Sequence, residues 1–255
     1  MFLQYSERVF IIDSANRDEL INKDPKSAEI KRPILRGRDI KRYGYEFADK
    51  YLIALFPSRY YDIGDYPAIK EYLISAEWSD EVPNGHGKDK LEQTGAKHTI
   101  NGTTFTARKK TNNKWFETQD QIAYWDDFSK QKIIYREIST EMNACLIRES
   151  ILANNKCYLI TGEHLEYLLA FLNSKLFNYI VLSETNTTGG KGPAFLLSKK
   201  VIFPSKTVEQ ALMCLLSSLP HNKCGDNYTS SEKEIDIFFY NLYNLNKEEI
   251  DIIEG

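Results

Sequence analysis

Apolar and polar positions alternate so as to divide the chain into a first part of short strands and a helical last part. VFIID at 9–13 reads as a short buried strand, and Ser14 is placed to cap a helix through Arg17, Asp18, Glu19 and Leu20. YLIALF at 51–56 is apolar up to Pro57 and reads as a central strand. In 62–78, Pro67 suits a first helical turn, and Ile69, Tyr72, Leu73 and Ala76 recur at helical spacing. KIIYREI at 132–138 mixes β-branched, aromatic and charged residues over the length of a half-buried strand, entered by a polar turn at Ser129, Lys130 and Gln131. ACLIR at 144–148 and CYLI at 157–160 are strands that the turn-forming pair Asn154 and Asn155 would join as a hairpin. VIF at 201–203, before Pro204, reads as a last strand.

The clearest helical period follows Thr161, a candidate cap: Leu165, Leu168, Leu169, Leu172, Leu176 and Ile180 form one apolar stripe, with His164 a surface residue of the first turn. Beyond Pro204 come a leucine-rich face at 208–219, a polar linker at 221–230 and an amphipathic helix at 235–243. Asn246 and Glu249 have the spacing of a capping box for a short final helix. The expected fold is α+β, a mixed twisted β-sheet flanked by helices with a helical C-terminal segment. Residues 1–205 would form one domain and 206–255 a helical appendage or spacer.

Two stretches break this pattern. Residues 79–114 are polar, rich in Lys, Thr and Asn, and interrupted by Gly85, Gly87, Gly95 and Gly102, as in a long loop or irregular hairpin. At 115–140, Tyr124, Trp125 and Phe128 surround Asp126 and Asp127. Such rings beside charges serve either a rigid recognition surface or the anchoring of a loop to the core.

Composition is that of an ordinary globular chain, 42% apolar and 27% charged over 255 residues, and the net charge of −3 confines any nucleic-acid site to a local basic patch. Cys145, Cys157, Cys214 and Cys224 form no C-x-x-C pair and have no zinc spacing with His86, His98, His164 or His221, so no metal is expected. The first residues lack a signal-peptide pattern and no stretch is long and apolar enough to span a membrane, which predicts a cytoplasmic protein.

The candidate chemistry is cationic. KRPILRGRDIKR at 31–42 carries Lys31, Arg32, Arg36, Arg38, Lys41 and Arg42, with Gly37 permitting a turn or close approach. The run fits either a phosphate-binding loop or a solvated basic loop paired with Asp39 and Glu46. Arg108, Lys109, Lys110 and Lys114 run into Trp115, cations followed by a ring, which suits a nucleic-acid backbone or a solvated loop. Gly189, Gly190 and Lys191 belong to a glycine-rich loop without the order of a nucleotide-binding P-loop; closure onto a ligand such as DNA stays open.

Several segments together, DPKSAEI at 24–30, PILRGRDIKRY at 33–43, YLI at 51–53, Trp115 with Phe116, KIIYREI, YLLAFLNSKLF at 167–177, VIFP at 201–204 and the tail 235–253, resemble one family. It is the C-terminal specificity domain of TaqI-like and Eco57I-like type II (IIG) restriction-modification enzymes, related to the target recognition domains of type I specificity subunits. The resemblance implies a non-catalytic domain that reads double-stranded DNA for a methyltransferase and nuclease, held elsewhere in the same polypeptide or complex. It implies that Arg36, Arg38, Lys41 and Arg42 lie near the DNA backbone and that the loops at 79–114 and Gly189-Gly190 contain base-reading residues. With the lysine and tryptophan runs, Arg136 and Lys191 complete the expected DNA-binding set, with no catalytic residue and no cofactor. The lack of an N-P-P-Y tetrapeptide for a flipped adenine accords with this. Two rivals remain. Glu29-Ile30-Lys31 and Asp39-Ile40-Lys41, with Asp13 or Asp24 upstream, have the acid-x-Lys form of a metal-dependent nuclease. Alternatively, the C-terminal helices and aromatic residues form a protein-interaction module.

Overall fold

The computed structural model describes residues 9–122, 124–137, 141–185, 212, 215, 216, 219 and 230–255, with the backbone alone for 181–185. The strands are β1 (Ile11–Ile12), β2 (Lys31–Leu35), β3 (Ile40–Lys41), β4 (Gly44–Tyr45), β5 (Tyr51–Ile53), β6 (Lys97–Ile100), β7 (Thr103–Thr106), β8 (Lys132–Arg136), β9 (Ala144–Ile147), β10 (Leu152–Ala153) and β11 (Cys157–Ile160). The helices are α1 (Ser14–Lys23), α2 (Pro67–Ser75), α3 (Gly87–Leu91), α4 (Leu165–Asn173), α5 (Lys175–Thr185), α6 (Ser230–Leu242) and α7 (Lys247–Glu254). This is the expected α+β class. The chain forms two interleaved units, one of Met1–Ile34, Asp49–Asp126 and Ser150–Asn155, the other of Leu35–Ala48, Asp127–Glu149 and Lys156–Gly255. That cut differs from the division at residue 205. Among the described residues no helix is long and apolar enough to cross a membrane.

The first unit is built on a four-stranded sheet of order β1-β5-β2-β10. β5 lies inside it, antiparallel to β1 and β2, with Leu52 and Ile53 buried; the strand ends at Ile53, while 54–56 stay buried beyond it. The cap of α1 is Asp13, one residue before the expected Ser14. The Asp13 carboxylate accepts from the Asn16 N–H at 3.0 Å, and the Ser14 hydroxyl donates instead to Asp49 at 2.7 Å. Pro67 opens α2 as expected, and left-handed Ala76 ends it. The excursion at 79–114 resolves into α3 and a two-stranded hairpin, β6 with β7.

Arg108 forms the stem of that excursion. Its side chain is buried, its guanidinium donates to the carbonyls of Leu91 (2.9 and 2.8 Å), Trp115 (2.7 Å) and Glu117 (2.8 Å), and it stands 5.3 Å over the Phe10 ring. Its donors satisfy buried carbonyls. The expectation that Arg108 is a surface DNA contact is therefore corrected.

Lys31, the first cation of the basic run, is also internal. It is 5% exposed and its Nζ has no hydrogen-bond partner. Burial lowers its pKa to about 8, against the opposing pull of Asp24.

In the second unit β8 is the middle strand of a sheet of order β11-β8-β9, antiparallel to both neighbours. The expected hairpin between 144–148 and 157–160 does not form, because both strands pair with KIIYR instead. The residues that were to make its turn, 150–155, belong to the first unit and carry β10 in its sheet. Lys132 opens β8 fully buried, where a half-buried strand was expected, and its Nζ donates to the carbonyls of Phe128 (2.8 Å), Lys130 (3.3 Å) and Glu149 (2.7 Å). The outer strand β9 is closed at Ala144, whose N–H donates to the Asn173 Oδ1 (3.0 Å) and whose carbonyl accepts from the Asn173 Nδ2 (2.9 Å).

The apolar stripe at 165–180 packs on this sheet, but as two helices. Ser174 is extended, its hydroxyl donates to the Phe171 carbonyl (2.7 Å) and accepts from the Phe177 N–H (3.1 Å), ending α4 and starting α5. Thr161 is not the cap; α4 begins after His164, which is exposed and left-handed. Ile235, Phe239 and Tyr240 of α6, with Leu212, Leu216 and Leu219, lie in the same core as Ile133, Ala144 and Tyr167. The capping box of α7 forms as expected, Asn246 and Glu249 exchanging hydrogen bonds of 2.8 and 3.0 Å. The strand at 201–203 and the linker at 221–229 lie outside the described residues.

Two tests follow from the buried cations. Arg108→Met lowers the unfolding free energy by about 2–4 kcal/mol in urea titration, since buried carbonyls lose a charged donor. For Lys31, the unfolded chain holds a proton between about pH 8 and its ordinary value of 10.5 that the folded chain has released. Stability to urea therefore rises with pH across that window, and the slope is smaller in Lys31→Met, which is also the more stable protein at neutral pH.

Candidate nucleic-acid interface

The basic run of the second unit is sorted by its own acids. Asp39 is buried, and its carboxylate accepts from the Arg36 N–H (2.8 Å) and from the Arg36 guanidinium (2.9 Å from Nε, 2.7 Å from Nη2), which raises the Arg36 pKa. Arg36 thus fixes the turn. Gly37 suits the close approach inside it, because a Cβ there would stand 3.0 Å from the Lys156 carbonyl oxygen. What the turn presents is Arg38, exposed and without an ion pair among the described residues.

Lys41 and Glu46 form a partly exposed pair at 3.3 Å, weak enough to exchange for a phosphate. Arg42 is half-buried and reaches Glu232 of α6 at 3.2 Å. Arg136 donates through Nε to the Ile40 carbonyl at 3.0 Å, so this expected contact holds β3 to β8. Of the two readings of the run, pairing with Asp39 and Glu46 describes Arg36 and Lys41, and Arg38 is left exposed.

In the first unit Lys109, Lys110 and Lys114 are exposed beside the Arg108 clamp. Trp115 is half-buried and meets Phe116 edge-on, with centroids 5.7 Å apart. The segment is stiffened from within: Gln93 donates to the carbonyls of Lys114 (3.1 Å) and Glu117 (2.9 Å), and Asn113 donates to those of Thr118 and Gln119 (3.0 Å each). Trp125 packs on Phe56 at 5.6 Å with Arg59 over its ring, and Phe128 is buried, which matches the loop-anchoring reading of this aromatic stretch.

The acids of the acid-x-Lys tripeptides have structural partners. Asp39 is held by Arg36, and Glu29 accepts from the Tyr66 hydroxyl at 3.3 Å. Upstream, Asp13 caps α1 and Asp24 accepts from the Lys26 N–H. Among the described residues no group of three or more His, Cys, Asp and Glu side chains is arranged to hold a metal ion. Gly189, Gly190 and Lys191 lie outside the described residues.

The sequence reading passed over the outward face of the β6–β7 hairpin, on which Lys97, Thr99, Thr104 and Thr106 are all exposed. The signal was present: KHTI and TTFT flank Asn101-Gly102, a strong two-residue hairpin turn, and residues 93–116 contain no acid in a chain with 36 acidic residues.

Comparison with known proteins agrees with this architecture. No curated protein matches the chain. Among solved structures, the type IIL restriction-modification enzyme MmeI in complex with DNA superposes with a TM-score of 0.53 at 13% identity, covering 96% of this chain. The likeness is one of fold, and the chain spans only 32% of the MmeI chain. Residues 32–199 match the TaqI-like C-terminal specificity domain, and with two thirds of its length so matched the chain belongs to that family.

Proposed function

We propose that this chain recognises a short sequence in double-stranded DNA and serves as the specificity domain of a restriction-modification enzyme of type IIG. The methyltransferase and nuclease parts lie outside it, and the assembly works in the cytoplasm. The domain performs no chemistry of its own and needs no cofactor. Family membership supports the role, and MmeI, similar in fold, was solved with DNA bound. The observation that carries the reading is the pair of exposed cationic groups on stiff supports, Arg38 on the Arg36–Asp39 turn and Lys109, Lys110 and Lys114 beside the Arg108 clamp.

Backbone phosphates are the partners of such groups, and they fix register and orientation without reading sequence. Lys41 joins them by giving up Glu46. Arg36, Arg42, Arg108 and Arg136 act one step back, holding the turn, α6, the stem and β3. Base edges are then read by other exposed side chains.

Fluorescence anisotropy with a random pool of duplex DNA tests the role directly. Salt-dependent binding with a short enriched motif is expected, and no binding at low salt would defeat it. Within that assay Arg38→Glu and Lys110→Glu each weaken binding to all duplexes alike and reduce the slope of log affinity against log salt by about 1. A change of sequence preference without a change of slope would instead make these residues base readers.

A further inference from the structure

The β6–β7 hairpin sorts its side chains by face, with Thr103 beside the turn the exception. Inward, His98 stacks on Phe105 with centroids 5.5 Å apart and 23° between the planes, and Ile100 and Phe105 pack with Ala76, Trp78 and Val82. Outward, the register pairs Lys97 with Thr106 and Thr99 with Thr104, all exposed, with the two hydroxyls of the second pair 3.0 Å apart. The turn is the shortest available. Asn101 (φ 50°) and Gly102 (φ 81°) are both left-handed, the type I′ geometry that continues the twist of the strands. The ribbon is therefore narrow, blunt and backed by its own apolar contacts.

Such a ribbon has the dimensions of the major groove. Strands about 4.8 Å apart make a body that fits a groove about 12 Å wide. Its outward face is uncharged at the centre and cationic at one corner. Threonine hydroxyls donate to or accept from base edges and threonine methyls touch the thymine methyl, while a lysine donates to guanine O6 and N7. No acid falls within 93–116, and Lys109 and Lys110 lie shortly after the returning strand, beyond the buried Ala107 and Arg108.

Building on the proposed DNA-recognition role, we infer that β6 and β7 enter the major groove as a β-ribbon whose outward face, Lys97, Thr99, Thr104 and Thr106, reads the bases. Thr99 and Thr104, the central pair, determine specificity at one or two adjacent base pairs.

The test is a double variant, Thr99→Val with Thr104→Val, which keeps side-chain shape and strand preference while removing both hydroxyls. Parent and variant each select from a random duplex pool, and each is titrated with the parent's enriched duplex and a scrambled one. The expected variant binds the parent's site about tenfold more weakly, binds the scrambled duplex unchanged, and enriches a motif altered at one or two adjacent positions. A variant that enriches the parent's motif with the parent's affinity overturns the ribbon assignment and leaves the DNA role intact. Equal weakening on both duplexes overturns it too, since the face would then position rather than read. A parent that binds no duplex, or binds without enriching any motif, overturns the recognition role itself and the ribbon with it.

Discussion

Buried carbonyls in the helix ends, turns and loops between short strands are the constraint on which this structure turns. Among the described residues the strands run from two to five residues, so much of the main chain lies outside any ladder and its buried oxygens need other partners. The donors come from long polar side chains. Arg108 gathers three carbonyls of the first unit, Lys132 three of the second, and Arg136 ties β3 to β8 through one. Gln93 and Asn173 do the same with neutral amides. A lysine or arginine satisfies several acceptors from one stem, which a serine or threonine cannot do.

This use of cations changes what the basic sequence runs mean. Of the residues that crowd 31–42, Lys31 is internal, Arg36 is spent on Asp39, and Arg42 is turned toward α6. Arg38 faces solvent. Of the four cations leading into Trp115, Arg108 is a clamp and three lysines stay outside. On the proposed reading, a chain of net charge −3 carries a phosphate-facing set that is small and local, and its hold on DNA is correspondingly modest in its salt dependence. Discrimination between sequences rests, on that reading, mainly on the hairpin's threonines, with Lys97 at one corner.

The helical half was largely legible, because the stripe at 165–180, the amphipathic run at 235–243 and the Asn246/Glu249 box state their periods and caps locally. What was not legible was nonlocal. The strand KIIYREI announces itself, but nothing in its residues says that it lies between ACLI and CYLI and so removes the hairpin between them. Ser174 breaks a stripe that reads as continuous, since a helix can end at any serine whose hydroxyl finds better partners. Arg108 and Arg38 look alike in sequence, and only the carbonyls around the first separate a clamp from a contact. The β6–β7 hairpin was half legible: 79–114 read as a long loop or irregular hairpin, and the Asn-Gly turn and alternation that fix its register were outweighed by the polarity around them.

Positioning and reading impose opposite demands, and the two elements meet them differently. Arg38 sits on a fixed frame, in which the Asp39 carboxylate and the glycine against the Lys156 carbonyl are buried and the bidentate Arg36 is half-buried. Change there costs stability, so the frame is intolerant. On the hairpin, the anchoring side chains and the outward side chains occupy opposite faces of the same strands, because side chains alternate with period two. The outward residues touch no core, and exchanging them leaves His98, Ile100 and Phe105 in place. On the proposed reading, a ribbon of this kind can acquire a new set of base contacts without refolding, while the cations proposed to face phosphates keep their geometry.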